Sequence, residues 1–207
     1  FVTLHRELVQ HEGGGLGIRW MPELTPNPDE LEKVNEIKKV ASGEELKLEG
    51  KTSYYLECKV KPQKNGRVGL AVSGNGKPFV FELNTERQKV QTLETDNINS
   101  FTEEVKALYE YIPEMPEERT SCAQIPSENI HTNSHDFAIA NVRELKDEYT
   151  LKIIFHYEKK SDNLVMDAEI GKGRTFVSNR PDFKVGNIKF LTKNAEITDL
   201  KLCKMGE

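Results

Sequence analysis

Two acidic side chains, Asp167 and Glu169, stand two positions apart in the segment Leu164 to Ile170. Residues at this spacing on a β-strand point to the same face, so the two carboxylates would share one surface, as the acid pair of a glycoside-cleaving site does. The same spacing is also typical of the solvent-facing side of a half-buried strand. The second interpretation is favoured, because alternation with apolar residues already predicts acidic residues at both positions.

Three histidines are candidates for a metal site or a catalytic base. His131 and His135 precede Asp136, and a helical turn there would bring both imidazoles to one metal ion. The neighbouring Asn and Ser residues favour a solvated loop, so no metal is predicted. His156 falls on the polar side of a predicted strand without a sequence-local partner, which indicates a surface histidine.

No known catalytic or cofactor-binding motif is recognisable in the chain. The "GGGLG" run has no helix after it, so it does not predict a phosphate-binding loop, and a nucleophile elbow is missing. We therefore assign no catalytic residue and no cofactor. Aromatic residues on strand faces remain as candidates for stacking on sugar rings, with core packing as the alternative: Trp20, Tyr54 and Tyr55.

The elements that would position these residues are mostly strands. Apolar and polar residues alternate with a period of two along residues 54–61, 149–156 and 164–170. The turn sequences "PQKNG", "GNGKP" and "KKSDN" separate strands at intervals typical of a sandwich or barrel. Two more apolar segments, 188–191 and 197–202, close the chain. A single domain over 1–207 is predicted, since one all-β domain can use this length.

Two helices are predicted outside the sheets. Asn27, Pro28 and Glu30 fit a capped helix start, and the apolar face before Gly43 would be Leu31, Val34, Ile37 and Ala41. A capping box at Ser100 predicts a second helix ending at Pro113, within a polar excursion over residues 94–135.

The first 24 residues form a segment of their own. In "RELVQHEGGGLGIRWMPEL", strands over Leu8–His11 and Leu16–Trp20 would be joined by a glycine-rich turn, Glu12 to Gly15. Five apolar side chains are expected to form a seam that joins this hairpin to the sandwich: Leu8, Val9, Leu16, Ile18 and Trp20.

Composition excludes several classes of function. The net charge is -5, from 29 basic and 34 acidic residues interspersed along the chain, so the basic stripe needed for nucleic acid is missing. No apolar run approaches the roughly 20 residues of a membrane-spanning helix. Three scattered cysteines, Cys58, Cys122 and Cys203, do not make a disulfide framework or a metal site. The chain begins at Phe1, without a signal peptide, which is typical of a processed product or a fragment.

Two segments resemble parts of glycoside hydrolase family 32, which includes invertases, levanases and related fructan-cleaving enzymes. "RELVQHEGGGLGIRWMPEL" is similar to the stretch that follows the catalytic β-propeller of that family. "NLVMDAEIGKGRTFVSNRP", Asn163 to Pro181, resembles a late strand pair of its C-terminal sandwich. The family's Asn-Asp-Pro-Asn and Arg-Asp-Pro motifs are absent, and its Glu-Cys motif occurs only at Glu57 and Cys58, where Cys58 belongs to the apolar side of a strand.

The resemblance implies an all-β, two-sheet antiparallel β-sandwich of the lectin or laminin-G-like jelly-roll type, with one or two short helices in insertions. It also implies an accessory domain without its catalytic half, in which residues 1–24 would be the linker from an upstream β-propeller. The parent protein would hydrolyse β-fructosides, and it would be secreted or periplasmic. The alternative is an independent carbohydrate-binding module. Its sugar contacts would be Trp20, Tyr54, Tyr55 and Arg174.

Overall fold

The computed structural model describes residues 4–11, 14–101, 137–139 and 141–206. Within these ranges the chain forms strands that pair only in antiparallel fashion. They are β1 Arg6–Gln10, β2 Leu16–Trp20, β3 Glu32–Val40, β4 Glu45–Lys47, β5 Tyr54–Gly74, β6 Phe79–Asn84, β7 Lys89–Glu94, β8 Phe137–Ile139, β9 Tyr149–Glu158, β10 Asn163–Ile170, β11 Arg174–Arg180 and β12 Val185–Lys204. Short 3-10 turns cover Pro22–Leu24 and Arg143–Lys146.

Two long strands, β5 and β12, connect the two sheets of a sandwich. The first sheet has the order β11-β10-β9-β5-β12-β3 and uses residues 54–60 and 197–204 of the long strands. The second sheet has the order β8-β7-β6-β5-β12-β4 and uses residues 67–74 and 185–193. The predicted two-sheet antiparallel β-sandwich is therefore confirmed.

The core lies between the inner faces of the two sheets. Alternate residues of the long strands supply it, so Leu56 and Val60 meet Leu70 and Phe190 within one buried cluster. Cys58 belongs to the same cluster, as the alternation predicts. Among the described residues, no helix has the length and apolar character needed to cross a bilayer.

The predicted "PQKNG" turn does not end a strand. β5 continues through it, and the register with β12 shifts between Lys193 and Ala195, where both strands bend from one sheet to the other. Asn65 and Asn194 take left-handed backbone angles there, with φ of 58° and 49°. A Cβ on Gly66 would lie 2.8 Å from the carbonyl oxygen of Asn194, so this crossing requires glycine. For the same reason the two predicted C-terminal segments are one strand, β12.

The helix predicted after Asn27 is wrong. Asn27 and Glu30 do hydrogen-bond, at 2.8 Å between Nδ2 and Oε1, but they close only a single turn. The following residues form edge strand β3, in which Val40 pairs with Ile197 and Ile37 with Leu200. Pairing with β12 overrides the helical spacing of the apolar residues in this segment. The many charged residues of β3 are typical of an exposed strand at the edge of a sheet. The helix predicted from Ser100, and most of the 94–135 excursion, lie outside the described residues.

Cys58 and Cys203 are free, buried thiols. Burial raises the pKa of the Cys58 thiol to about 12 and also raises the pKa of Cys203. Because the thiolate is the reactive form, we expect both to react with a thiol reagent at pH 8 about a thousandfold more slowly in the native protein than in urea. The measurement uses a Cys122→Ser variant, because the position of Cys122 is not described. Rapid labelling of Cys58 without denaturant would contradict the burial.

Candidate docking site at the N-terminal hairpin

The N-terminal hairpin exists and packs on the outer face of the first sheet. β1 and β2 pair with Leu8 opposite Ile18, and Gly14 in the connecting turn has a φ of +80°. The backbone N–H of Ile18 donates to the carbonyl oxygen of Gly173, in the turn between β10 and β11, at 2.9 Å. A Cβ on Gly17 would lie 2.8 Å from that oxygen, so the small residue permits this close approach.

Asp167 is the centre of the contact between the hairpin and the sheet. Its Oδ1 accepts hydrogen bonds from Arg6 Nη2 at 2.7 Å and from Trp20 Nε1 at 3.0 Å, and its Oδ2 accepts one from the backbone N–H of Leu4 at 3.3 Å. Arg6 also donates from Nε to Thr175 Oγ1 at 3.0 Å. Burial raises the pKa of Asp167, while Arg6 and the hydrogen bonds from Trp20 and Leu4 act in the opposite direction.

Glu169 makes the second polar contact of this joint. Its Oε2 accepts the backbone N–H of Trp20 at 2.6 Å, and its Oε1 pairs with Lys152 Nζ at 3.0 Å. The side chains of Asp167 and Glu169 are only 4% and 5% exposed. The expectation of a solvent-facing acid pair is therefore wrong, because the hairpin covers both carboxylates. Their burial under protein donors also leaves no room for a substrate between them.

Trp20 supplies the apolar part of the joint. It is 1% exposed and packs in an outer-face cluster with Tyr55 and Ile154. The Tyr55 hydroxyl donates to Glu57 Oε2 at 2.6 Å, and burial together with this hydrogen bond raises the pKa of Tyr55. Of the five residues expected to form the seam, Trp20 is the one that is fully buried.

Three other large apolar side chains of the hairpin are exposed to solvent, whereas Val9 is half-buried. Leu8 and Leu16 are each 70% exposed and Ile18 is 38% exposed. The β-register places Arg6 opposite Trp20, Leu8 opposite Ile18 and Gln10 opposite Leu16. The three exposed side chains therefore lie on the same face of the hairpin as Trp20, closer to the turn. We call Leu8, Leu16 and Ile18 the hairpin patch.

The structure does not bring the predicted sugar contacts together. Tyr54 is 1% exposed and lies in the inner core, where its hydroxyl accepts the backbone N–H of Glu49 at 2.8 Å. Trp20 and Tyr55 are buried between the hairpin and the sheet, so none of the three rings offers a face to a sugar. Arg174 is half-buried at the start of β11, with Nη2 at 3.5 Å from the carbonyl oxygen of Asn141.

The histidine candidates have different outcomes. His131 and His135 lie outside the described residues. His156 is half-buried, and its Nδ1 lies 3.2 Å from the hydroxyl of Ser53, a partner 103 positions away in the sequence. Within the ranges that the structure describes, no group of three or more His, Cys, Asp or Glu side chains is arranged to hold a metal ion.

Sequence reasoning missed the roles of Arg6 and Lys152, which neutralise the two buried carboxylates. The sequence did hint at the role of Arg6, because Arg6 and the chain's one tryptophan, Trp20, both lie in the segment 6–24. Neither residue could be assigned from the sequence, since their carboxylate partners are 161 and 17 positions away.

Neither a protein-family model nor a curated protein matches the sequence. Among solved structures, a GH32 beta-fructofuranosidase from Bombyx mori aligns with a TM-score of 0.52 and 10% identity, over 98% of this chain and 32% of its own. A glycoside hydrolase family 32 structure from Bifidobacterium adolescentis aligns with a TM-score of 0.52 and 13% identity, over 99% and 26%. The galectin LEC-6 of Caenorhabditis elegans aligns at 0.48 and 12%, over 81% and 95%. This chain thus spans about a third or less of the two family 32 chains, and at such identities what it shares with them is the β-sandwich fold.

Proposed function

We propose that this chain is an accessory β-sandwich domain that packs, through the hairpin patch, against a catalytic β-propeller preceding it in the same protein. The parent would be a family 32-like hydrolase of β-fructosides. The observation that carries the proposal is the solvent exposure of Leu8, Leu16 and Ile18 on a hairpin that is itself firmly attached to the sandwich. The resemblance of residues 6–24 to the family's linker supports the identity of the partner.

The buried joint explains how the hairpin would present its patch. Arg6 and Trp20 fix the hairpin on Asp167, so little conformational freedom remains to be lost when a partner binds. Apolar side chains grouped at the surface mark interaction sites when they are contiguous. A domain joined to the hairpin by the chain itself would also meet the patch at a high effective concentration.

Substituting the patch tests the docking. In the isolated domain, Leu8→Ser and Leu16→Ser should each change the free energy of unfolding by no more than about 0.5 kcal/mol, because both side chains are 70% exposed. Ile18→Thr should cost about 1 kcal/mol, because Ile18 is 38% exposed and partly covered. In the complete parent protein the same triple change should make the two domains unfold in separate calorimetric transitions. The matched control is Leu24→Ser with Val34→Thr, at sites that are 43% and 40% exposed outside the hairpin.

Two results would remove the proposal. One is a coding sequence without the two propeller motifs upstream of Phe1. The other is a parent protein in which the triple variant and the control give the same single unfolding transition as the wild type.

Carbohydrate binding is a second candidate function. It is supported by a polar cleft on the outer face of the second sheet, away from the hairpin and from the four residues first expected to contact sugar.

A further inference from the structure

A cleft of about 390 Å³ opens on the outer face of the second sheet, beside the place where β5 and β12 change sheets. Volumes in this range are typical of small-ligand sites. The side chains that line the cleft come from β5, β6, the turn between β6 and β7, β7 and the bend of β12. Six of them are used in the proposal: Asn65, Arg67, Glu82, Asn84, Lys193 and Asn194.

The floor of the cleft is a fixed ion pair. Glu82 is fully buried, and its Oε1 is approached by Arg67 Nη2 at 2.6 Å and Nε at 2.8 Å. The Arg67 guanidinium also lies over the Phe101 ring, 4.5 Å from its centroid. Charge-assisted hydrogen bonds and stacking hold both groups in place, so the cleft has a rigid polar base.

The rim of the cleft carries side-chain amides. Asn65 and Asn194 are exposed, and their left-handed backbone angles are part of the bend in the two long strands. Asn84 is half-buried at the end of β6, with Oδ1 accepting the backbone N–H of Arg87 at 3.2 Å. An amide both donates and accepts hydrogen bonds, as a sugar hydroxyl does. The three amides therefore complement a ring that bears several hydroxyl groups.

We propose that this cleft binds a saccharide ring through its hydroxyl groups, with the Arg67–Glu82 pair as the floor and Asn65, Asn84 and Asn194 as amide contacts. The inference rests on carbohydrate binding as the second candidate function and is independent of docking through the hairpin patch. The lining residues that the structure describes include no aromatic side chain for stacking, so we expect a dissociation constant on the order of 1 mM.

The test is saturation-transfer NMR of the intact chain with four probes: a fructo-oligosaccharide, lactose, cellobiose and digalacturonate. At least one probe should bind, and the triple variant Asn65→Gly, Asn84→Ala and Asn194→Gly should weaken its binding by about tenfold or more. Glycine suits the backbone angles of Asn65 and Asn194, so the bend should be kept. Binding of digalacturonate alone would identify an acidic sugar recognised with help from the exposed rim cation Lys193.

The matched control is Asp182→Gly, at a left-handed residue in the loop between β11 and β12 that is not part of the cleft lining. It should bind the probe as the wild type does. The absence of saturation transfer with every probe at about 10 mM would overturn the proposal, and so would equal binding by the triple variant and the control. Neither result would affect the hairpin-patch proposal, which is measured by domain unfolding in the parent protein.

Discussion

Replacing Trp20 with Ala should lower the free energy of unfolding by about 3–5 kcal/mol, the usual range for deleting a buried tryptophan. The ring is 1% exposed and packs on Tyr55 and Ile154, so its removal leaves a cavity between hairpin and sheet. The indole N–H that donates to Asp167 Oδ1 is lost as well. Urea denaturation followed by circular dichroism measures the change.

Release of the hairpin should accompany this loss of stability. The Arg19 side chain is 35% exposed and lies in β2 beside Trp20, so tryptic cleavage at Arg19 reports on opening of the hairpin. We expect cleavage to be much faster in Trp20→Ala than in the wild type, with the Trp20→Phe control in between because phenylalanine refills part of the space. Equal cleavage in all three proteins would show that Trp20 does not hold the hairpin.

The strands with one face in the core were predictable from the sequence. Along 54–60 and 164–170 the alternation of apolar and polar residues gives the correct inner face, because a shift of one residue would turn every core side chain outward. The hairpin was predictable for a related reason, since the glycines between residues 8 and 20 permit the reversal. The full lengths of β5 and β12 were not predictable from the sequence, because residues such as Asn65 and Gly66 are typical of both a β-bulge and a turn.

Edge strand β3 shows the other limit of sequence reasoning. Its apolar residues fit a helical period, and only pairing with β12 selects the strand. β3 ends at Val40 and β12 begins 145 positions later, at Val185, so the sequence around β3 does not indicate its pairing partner. Long-range pairing of this kind decides structure wherever intrinsic propensity is weak.

The candidate site was predictable only in part. Alternation correctly placed Asp167 and Glu169 on the outer face of β10, but it could not show that the hairpin covers that face. The same limit applies to Trp20 and Tyr55, because an aromatic residue on an outer strand face has the same sequence pattern whether that face is open or covered. Tyr54 instead belongs to the inner core. The signal that the sequence did contain is an acid pair on one strand face together with a cation and a tryptophan in a separate hairpin, because carboxylates that become buried require donors.

The second large effect should come from Asp167→Ala, at about 3–5 kcal/mol of lost unfolding free energy, because it removes one partner of a buried ion pair. Arg6 and the Trp20 indole N–H would lose their shared acceptor, Oδ1 of Asp167. Asp167→Asn keeps an acceptor oxygen of similar position and should cost less. Since Trp20 is the chain's one tryptophan, its fluorescence follows the hairpin directly, and a red shift at low urea is expected for Asp167→Ala.

The pH dependence of Asp167 has a definite sign. Burial raises the pKa of its carboxyl above the ordinary 3.8, so the folded protein binds this proton more readily than the unfolded chain does. The protonation-linked part of the stability should therefore be fully present below the ordinary pKa of 3.8, and it should be lost as the pH rises through the raised pKa of the folded protein. The penalty of Asp167→Ala is a separate effect, because it comes from Arg6 and Trp20 losing their acceptor. The difference in unfolding free energy between wild type and Asp167→Asn, measured between about pH 4 and 7, isolates the contribution of Asp167, because the contributions of the other titrating groups cancel. A stability difference that favours the wild type more strongly at pH 7 than at pH 4 would mean that attraction to Arg6 outweighs the cost of burying the charge.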